Sequence, residues 1–314
     1  MKKYFLLFFS VFSFIFVFPA QIRKNPVSSD KQKIKKILFL GNSITYQGNY
    51  ITDIETYYIT HFPKQQFEFI NVGLPSETVS GLSEPNHADG RFPRPDLHER
   101  LERILELLQP DIVFACYGMN DGIYLPLDQQ RFQQFRDGIL WMHNRLAKTG
   151  ARIIHLTPPV YDDKRAGAAG YNSVLDYYST WLLQQRDSLH WEVADIHFPM
   201  AMFLEENRKI NPGFVLADDG VHPGELGHWI MAKQVLLYLG FKKDVADANE
   251  VKDIYANQKN GEAIYKLVAE RQLIMKDAWL TATKHTRPEM PVGLPLDEAK
   301  TKASTIDMQI RKLN

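Results

Sequence analysis

From residue 37 onward the chain alternates short apolar runs with longer stretches whose apolar residues recur every three or four positions. Runs of the first kind, bounded by turn residues, predict buried parallel strands, and stretches of the second kind predict amphipathic helices. Strands are expected at 37–40, 67–72, 111–117, 153–156 and 192–196. Helices are expected at 97–108, where Leu97, Leu101, Ile104, Leu105 and Leu108 share a face, and at 128–148, 171–189 and 225–239. Pro110 closes the first of these and Gly150 suits the C-terminal end of the second. The stretch 199–218 opens on a proline, shows little regularity and reads as irregular chain. Beyond Gly240 a helix at 260–283 and a charged final helix at 296–313, with Ile306 and Ile310 inward, flank the breaker PEMPVGLP. The alternation predicts a three-layer α/β/α domain with a central, mostly parallel sheet over 36–240, followed by a helical C-terminal extension over 241–314 whose default role is a structural cap.

The first 20 residues differ from the rest: Lys2 and Lys3 precede a Phe/Leu/Val-rich run that ends at Pro19-Ala20. That layout predicts a secretory signal peptide, and the run is shorter than the ~20 apolar residues of a spanning helix. A polar, lysine-rich lead-in follows over 21–35. The protein is therefore expected to be exported to a bacterial periplasm or the cell exterior, touching membrane only if the N-terminal segment stays attached. The sole cysteine, Cys116, excludes an intrachain disulfide and lies in an apolar run, as a buried core thiol does. With 37 basic and 37 acidic residues, the net charge recommends neither a nucleic acid nor an anionic membrane as partner.

The candidate chemistry sits where apolar runs stop. The first strand ends abruptly at Gly41-Asn42-Ser43, placing a serine at the carboxyl end of a parallel strand, where α/β sheets collect their chemistry. The plain alternative is that Ser43 caps the following helix. Gly73 and Asn120 lie just beyond two further runs, and a late loop carries Asp219-Gly220-Val221-His222-Pro223. Acyl transfer needs a nucleophile, a base to take its proton and donors for the oxyanion. Ser43 suits the first role and His222 the second, while Asp219, three residues before His222, can turn back to hold the imidazole.

Ser, Gly, Asn and Asp-x-x-His in that order resemble the conserved blocks of the SGNH, or GDSL-like, hydrolases, over about 36–240. The resemblance implies a flavodoxin-like sheet and a serine esterase that needs no metal or other cofactor. Its triad would be Ser43, His222 and Asp219, and its oxyanion hole the N–H groups of Ser43 and Gly73 with the Asn120 amide. Asn42 replaces the aspartate of the common Gly-Asp-Ser, and Ser76 stands where many members have a second glycine, which bears on the shape of that loop. Competing motifs, G-x-S-x-G, H-E-x-x-H and G-x-x-x-x-G-K, are absent from the sequence. His87-Ala88-Asp89 and Asp162-Asp163 read as loop polarity in preference to metal ligands.

Loops at strand ends carry specificity, and the polar insertion 76–95 adjoins the block-two glycine. Within and beside it, Tyr46, His87, Arg91 and Arg94 are candidates to hydrogen-bond a sugar or a carboxylate. Members of the resembled family act on acetylated polysaccharides, lipids, thioesters and sialic acids. Export and a polar loop favour removal of acetyl groups from a polysaccharide or smaller acylated carbohydrate. The alternatives are a lipid or thioester acylhydrolase of the same fold, and a non-catalytic carbohydrate-binding module that keeps the fold.

Overall fold

The computed structural model describes residues 35–314, so the expected signal peptide and all but the last residue of the lead-in lie outside the described residues. Five strands, β1 (Lys35–Gly41), β2 (Phe67–Asn71), β3 (Ile112–Cys116), β4 (Arg152–Leu156) and β5 (Glu192–Ala194), form one parallel sheet in the order β2-β1-β3-β4-β5. The helices are α1 (Ser43–Gln47), α2 (Asn49–His61), α3 (Leu101–Leu108), α4 (Gln129–Ala147), α5 (Tyr171–Ser188), α6 (His197–Ile210), α7 (Glu225–Tyr238), α8 (Lys242–Val245), α9 (Gly261–Ala282) and α10 (Leu296–Leu313).

Side-chain alternation along the strands explains the layers. Phe39, Phe114 and Ile154 occupy one register row, so they share a face, and the Phe39 ring meets Tyr50 of α2 edge-on at 5.8 Å. His155, the next residue along β4, points the other way and stacks with His143 of α4 at 5.2 Å. On that second face Phe135 of α4 stacks on Tyr178 of α5 at 4.3 Å, while α7 packs with α2 on the first. Cys116 is buried, as an apolar strand position dictates.

The extension belongs to the same core: α9 packs along α2 and β2, and α10 packs on α9. Gln272 of α9 donates its amide N–H to the carbonyl of Phe69 on β2, at 3.3 Å, and to Glu55 of α2, at 2.6 Å. Ile306 and Ile310 are buried against Ile264 and Val268, as the spacing of the final helix predicts.

Two elements depart from the sequence reading. The stretch from 199 is not irregular at its start, because α6 runs through it from His197 to Ile210 and buries His197, Met200, Leu204 and Arg208. Pro199 falls in its first turn, where a helix has no use for the missing N–H. The free N–H groups there are taken up by Thr157 Oγ1, which accepts from Ile196 and His197 at 2.8 and 2.9 Å. The expected single helix 97–108 is a short 3-10 turn, Leu97–Glu99, followed by α3. The break falls at Arg100, whose side chain leaves the helical path to reach a buried carboxylate.

The strand order places a topological switch between β1 and β3, where successive connections leave in opposite directions and a crevice opens at the carboxyl ends. Ser43 follows β1 and Asn120 follows β3.

Candidate active site

Asn42, and not Ser43, caps α1: its side-chain oxygen accepts the N–H of Ile44 at 3.1 Å. This frees the Ser43 hydroxyl, which lies 2.8 Å from Nε2 of His222. The other ring nitrogen, Nδ1, lies 2.7 Å from Oδ2 of Asp219. Oδ1 of Asp219 accepts the backbone N–H groups of Val221 and His222, both at 2.8 Å, so the carboxylate is fixed by its own loop. Burial alone would raise its pKa, but the His222 ring and these backbone donors hold it below the ordinary aspartate value. An ionised carboxylate only accepts, which assigns the ring proton to Nδ1 and leaves Nε2 as acceptor for the serine proton. The structure thus brings together the three residues that sequence spacing singled out, from positions 43, 219 and 222.

The oxyanion side needs a correction. The Gly73 N–H, expected to face an oxyanion, donates to Oδ1 of Asn71 at 2.9 Å. Gly73 serves packing instead: a Cβ there would sit 2.3 Å from the backbone nitrogen of Tyr46, so the end of β2 lies directly against α1. Gly73→Ala should therefore prise these segments apart and lower stability by about 1–3 kcal/mol, readable as an earlier thermal unfolding transition.

Three residues on, Ser76 adopts φ 68° in the turn that Glu77 N–H closes on Leu74 O at 3.1 Å. That left-handed conformation is the one glycine favours, which explains the glycine common at this place in the resembled family. The Ser76 N–H has no hydrogen-bond acceptor among the described residues. Asn120 is buried, donates one amide hydrogen to Glu77 O at 3.1 Å and accepts the Tyr124 hydroxyl at 3.0 Å, and its second amide hydrogen has no acceptor among the described residues. Tyr124 and Ile123 both have positive φ, 57° and 48°, a strained course that turns the tyrosine back onto Asn120.

Beneath this loop lie residues the sequence reading did not pick out. Asp121 is buried and accepts N–H groups from Val79, Ser80 and Gly118 at 2.8, 2.9 and 2.8 Å, clamping the β3 end to the loop after β2. Glu77 is fully buried and bidentate to Arg100 at 2.6 and 2.7 Å, and also accepts the Tyr117 hydroxyl at 2.7 Å. His228 is buried, stacked on Tyr50 and 3.2 Å from Gln47 Oε1; burial, with a smaller push from His222, drives its pKa down to about 3.

The four candidate substrate residues have these partners. The Tyr46 hydroxyl donates to Asp277 of α9 at 2.8 Å, and the Lys276 ammonium lies 3.6 Å from its ring centroid. Arg94 is buried and bidentate to Glu84 at 2.6 and 2.7 Å, with its guanidinium 5.3 Å from the Tyr124 ring centroid. Arg91 pairs with Glu289 of the extension. His87 lies 3.6 Å from Glu84. Two of the four therefore touch the extension, a link the sequence did not show. Of the remaining loop acids, Asp162 is buried against Arg208 at 2.5 Å, and Asp163 accepts the N–H of Asn172 at 3.2 Å.

Solved structures share the fold. A gut microbial diltiazem-metabolizing enzyme superposes with TM-score 0.55 at 24% identity, over 69% of this chain; the chain spans only 49% of that protein. LAE5, an α/β hydrolase from the metagenome of Lake Arreo, Spain, gives TM-score 0.52 at 21% identity, over 66% of this chain and 95% of the other. Axe2, an acetylxylan esterase from Geobacillus stearothermophilus, gives TM-score 0.52 at 22% identity, over 66% of this chain and 94% of the other. Curated proteins yield no match. The model of the GDSL-like lipase/acylhydrolase family matches residues 39–230, more than half of the chain and from within β1 through the loop that carries His222, so the protein belongs to that family of carboxylic ester hydrolases.

Proposed function

We propose that the protein is an exported serine esterase that removes O-acetyl groups from carbohydrate, using Ser43 as nucleophile, His222 as base and Asp219 as the group that orients it. The observation that carries this reading is the unbroken hydrogen-bond chain from Ser43 Oγ through both ring nitrogens of His222 to Asp219. The serine oxygen attacks the acyl carbon as Nε2 takes its proton, and the same proton passes to the departing alcohol. Water, deprotonated by the same ring, then releases acetate and restores the serine. Charge on the tetrahedral oxygen is met by the N–H of Ser43 at the start of α1, the unclaimed N–H of Ser76 and the free amide hydrogen of Asn120. Ser76 takes the role that the sequence assigned to Gly73.

The carbohydrate reading rests on the polar loop 76–95 beside the site, and the fold shared with an acetylxylan esterase agrees with it. Export rests on the layout of residues 1–20. The test is acetate release by the mature protein from acetylated xylan and pectin fragments, set against long-chain acyl esters and acyl thioesters. Acetylated glycans are expected to be turned over fastest; cleavage of long-chain esters alone would replace the carbohydrate reading with the lipid one.

A further inference from the structure

Beside Tyr46, one helical turn on from Ser43, the loop 76–95 meets the segment that links α9 to α10. Charges at this seam are almost all matched. Arg94 is held by Glu84, Arg91 by Glu289 and Lys276 by Asp277. Arg287 is the exception: among the described residues no carboxylate pairs with it, its only acceptor is the carbonyl of Pro288 at 2.8 Å, and its Nε is buried with no partner. Its guanidinium lies 5.1 Å from the ring centroid of Phe92, with the Arg91 guanidinium at 5.7 Å from the same centroid. His87 meets that ring edge-on at 5.6 Å, its side chain is 10% exposed, and its Nε2 also lacks a partner. Tyr46 lies close to Arg287, and burial pushes that guanidinium's pKa down.

A buried donor left without an acceptor is costly, so the unpartnered Nε of Arg287, close to Tyr46 and one helical turn on from the proposed nucleophile, calls for an acceptor supplied from outside. A guanidinium with unsatisfied N–H groups matches the two oxygens of a carboxylate better than a single sugar hydroxyl. Resting on the esterase reading above, we infer that Arg287, carried by the C-terminal extension, anchors a carboxylate on the carrier of the ester. The preferred substrates are then O-acetylated uronic acids or their oligomers, and Arg287 sets specificity without entering the acyl-transfer steps.

The test compares an O-acetylated methyl uronoside with its neutral carboxyl methyl ester. Wild type should favour the acid in kcat/KM by about 10–100-fold, the range of a charge-assisted pair. That ratio should fall as ionic strength rises. It should collapse towards unity in Arg287→Gln and be partly kept in Arg287→Lys, which retains the charge without the fork. The binding arm uses Ser43→Ala, which needs no turnover: calorimetry should show the acid bound more tightly than the methyl ester, and that difference lost when Arg287→Gln is added. Equal kcat/KM for acid and methyl ester with both hydrolysed overturns the Arg287 assignment and leaves the esterase standing. If neither is hydrolysed the esterase reading fails separately, and equal affinity of the two ligands for Ser43→Ala overturns the assignment on its own. A wild-type preference untouched by both Arg287 substitutions and by salt likewise overturns it.

Discussion

Ser43→Ala is expected to cut kcat on p-nitrophenyl acetate by about 10⁴–10⁶-fold, the range seen when a triad nucleophile is removed. The fold should be unaffected, because Asn42 and not Ser43 caps α1 and, among the described residues, the lost oxygen has a single partner, His222 Nε2 at 2.8 Å. Thermal unfolding of the variant should therefore overlay that of the wild type. His222→Ala should lose a comparable factor, and the double variant little more than either alone, since each residue is useless without the other. Asp219→Asn should also be damaging: an amide at that place can present N–H to Nδ1 and favour the wrong tautomer. Turnover by Ser43→Ala equal to wild type would remove the nucleophile assignment, and with it the proposed mechanism.

Arg100→Met is expected to lower unfolding free energy by about 3–5 kcal/mol, the effect of leaving one member of a buried ion pair alone. Both side chains are 0% exposed, and Arg100 also donates to Val72 O at 2.8 Å, so no water can take over its bonds without opening the loop. Urea titration at neutral pH measures the loss. The deficit should shrink on acidification. Burial already pushes the Glu77 carboxyl above the ordinary glutamate value, with Arg100 and the Tyr117 hydroxyl opposing it. Without Arg100 the folded-state pKa rises further above the unfolded one. A carboxyl shifted in that sense favours the folded state at low pH, and its contribution is lost as pH rises through the folded pKa. Replacing both partners, Glu77→Met with Arg100→Met, should be milder than the two single losses summed, because no unpaired charge remains. A pH-independent deficit, or strictly additive losses, would show that the pair does not act as a unit.

Much of this was readable beforehand, and what was not has physical reasons. Strands buried on both faces write themselves as unbroken apolar runs, so β1 and β3 were plain, and Asp219 and His222 lie close enough in the chain for their pairing to be inferred locally. Helix α6 is hard to see because its stretch opens on a proline and shows little apolar regularity, although a first-turn position makes that proline harmless. The break before α3 was missed because its cause, the pull of Glu77 on Arg100, acts between residues 23 apart in sequence. Gly73 and Ser76 show a finer limit: a sequence tells that glycine is permitted at a place, while the direction of a backbone N–H is settled by whichever acceptor tertiary packing supplies, here Asn71. Arg94 was a fair candidate ligand by residue type, yet type says nothing of the Glu84 that already holds it.

The position of α9 bears on the open margin of the sheet. A parallel sheet ends on each side in a strand whose outer backbone groups invite another chain to add itself. On the β2 side that invitation is withdrawn by Gln272, which occupies the Phe69 carbonyl, and by the helix lying over the rest. The family match stops at residue 230, so the polypeptide beyond it is what shields this margin from intermolecular β-pairing.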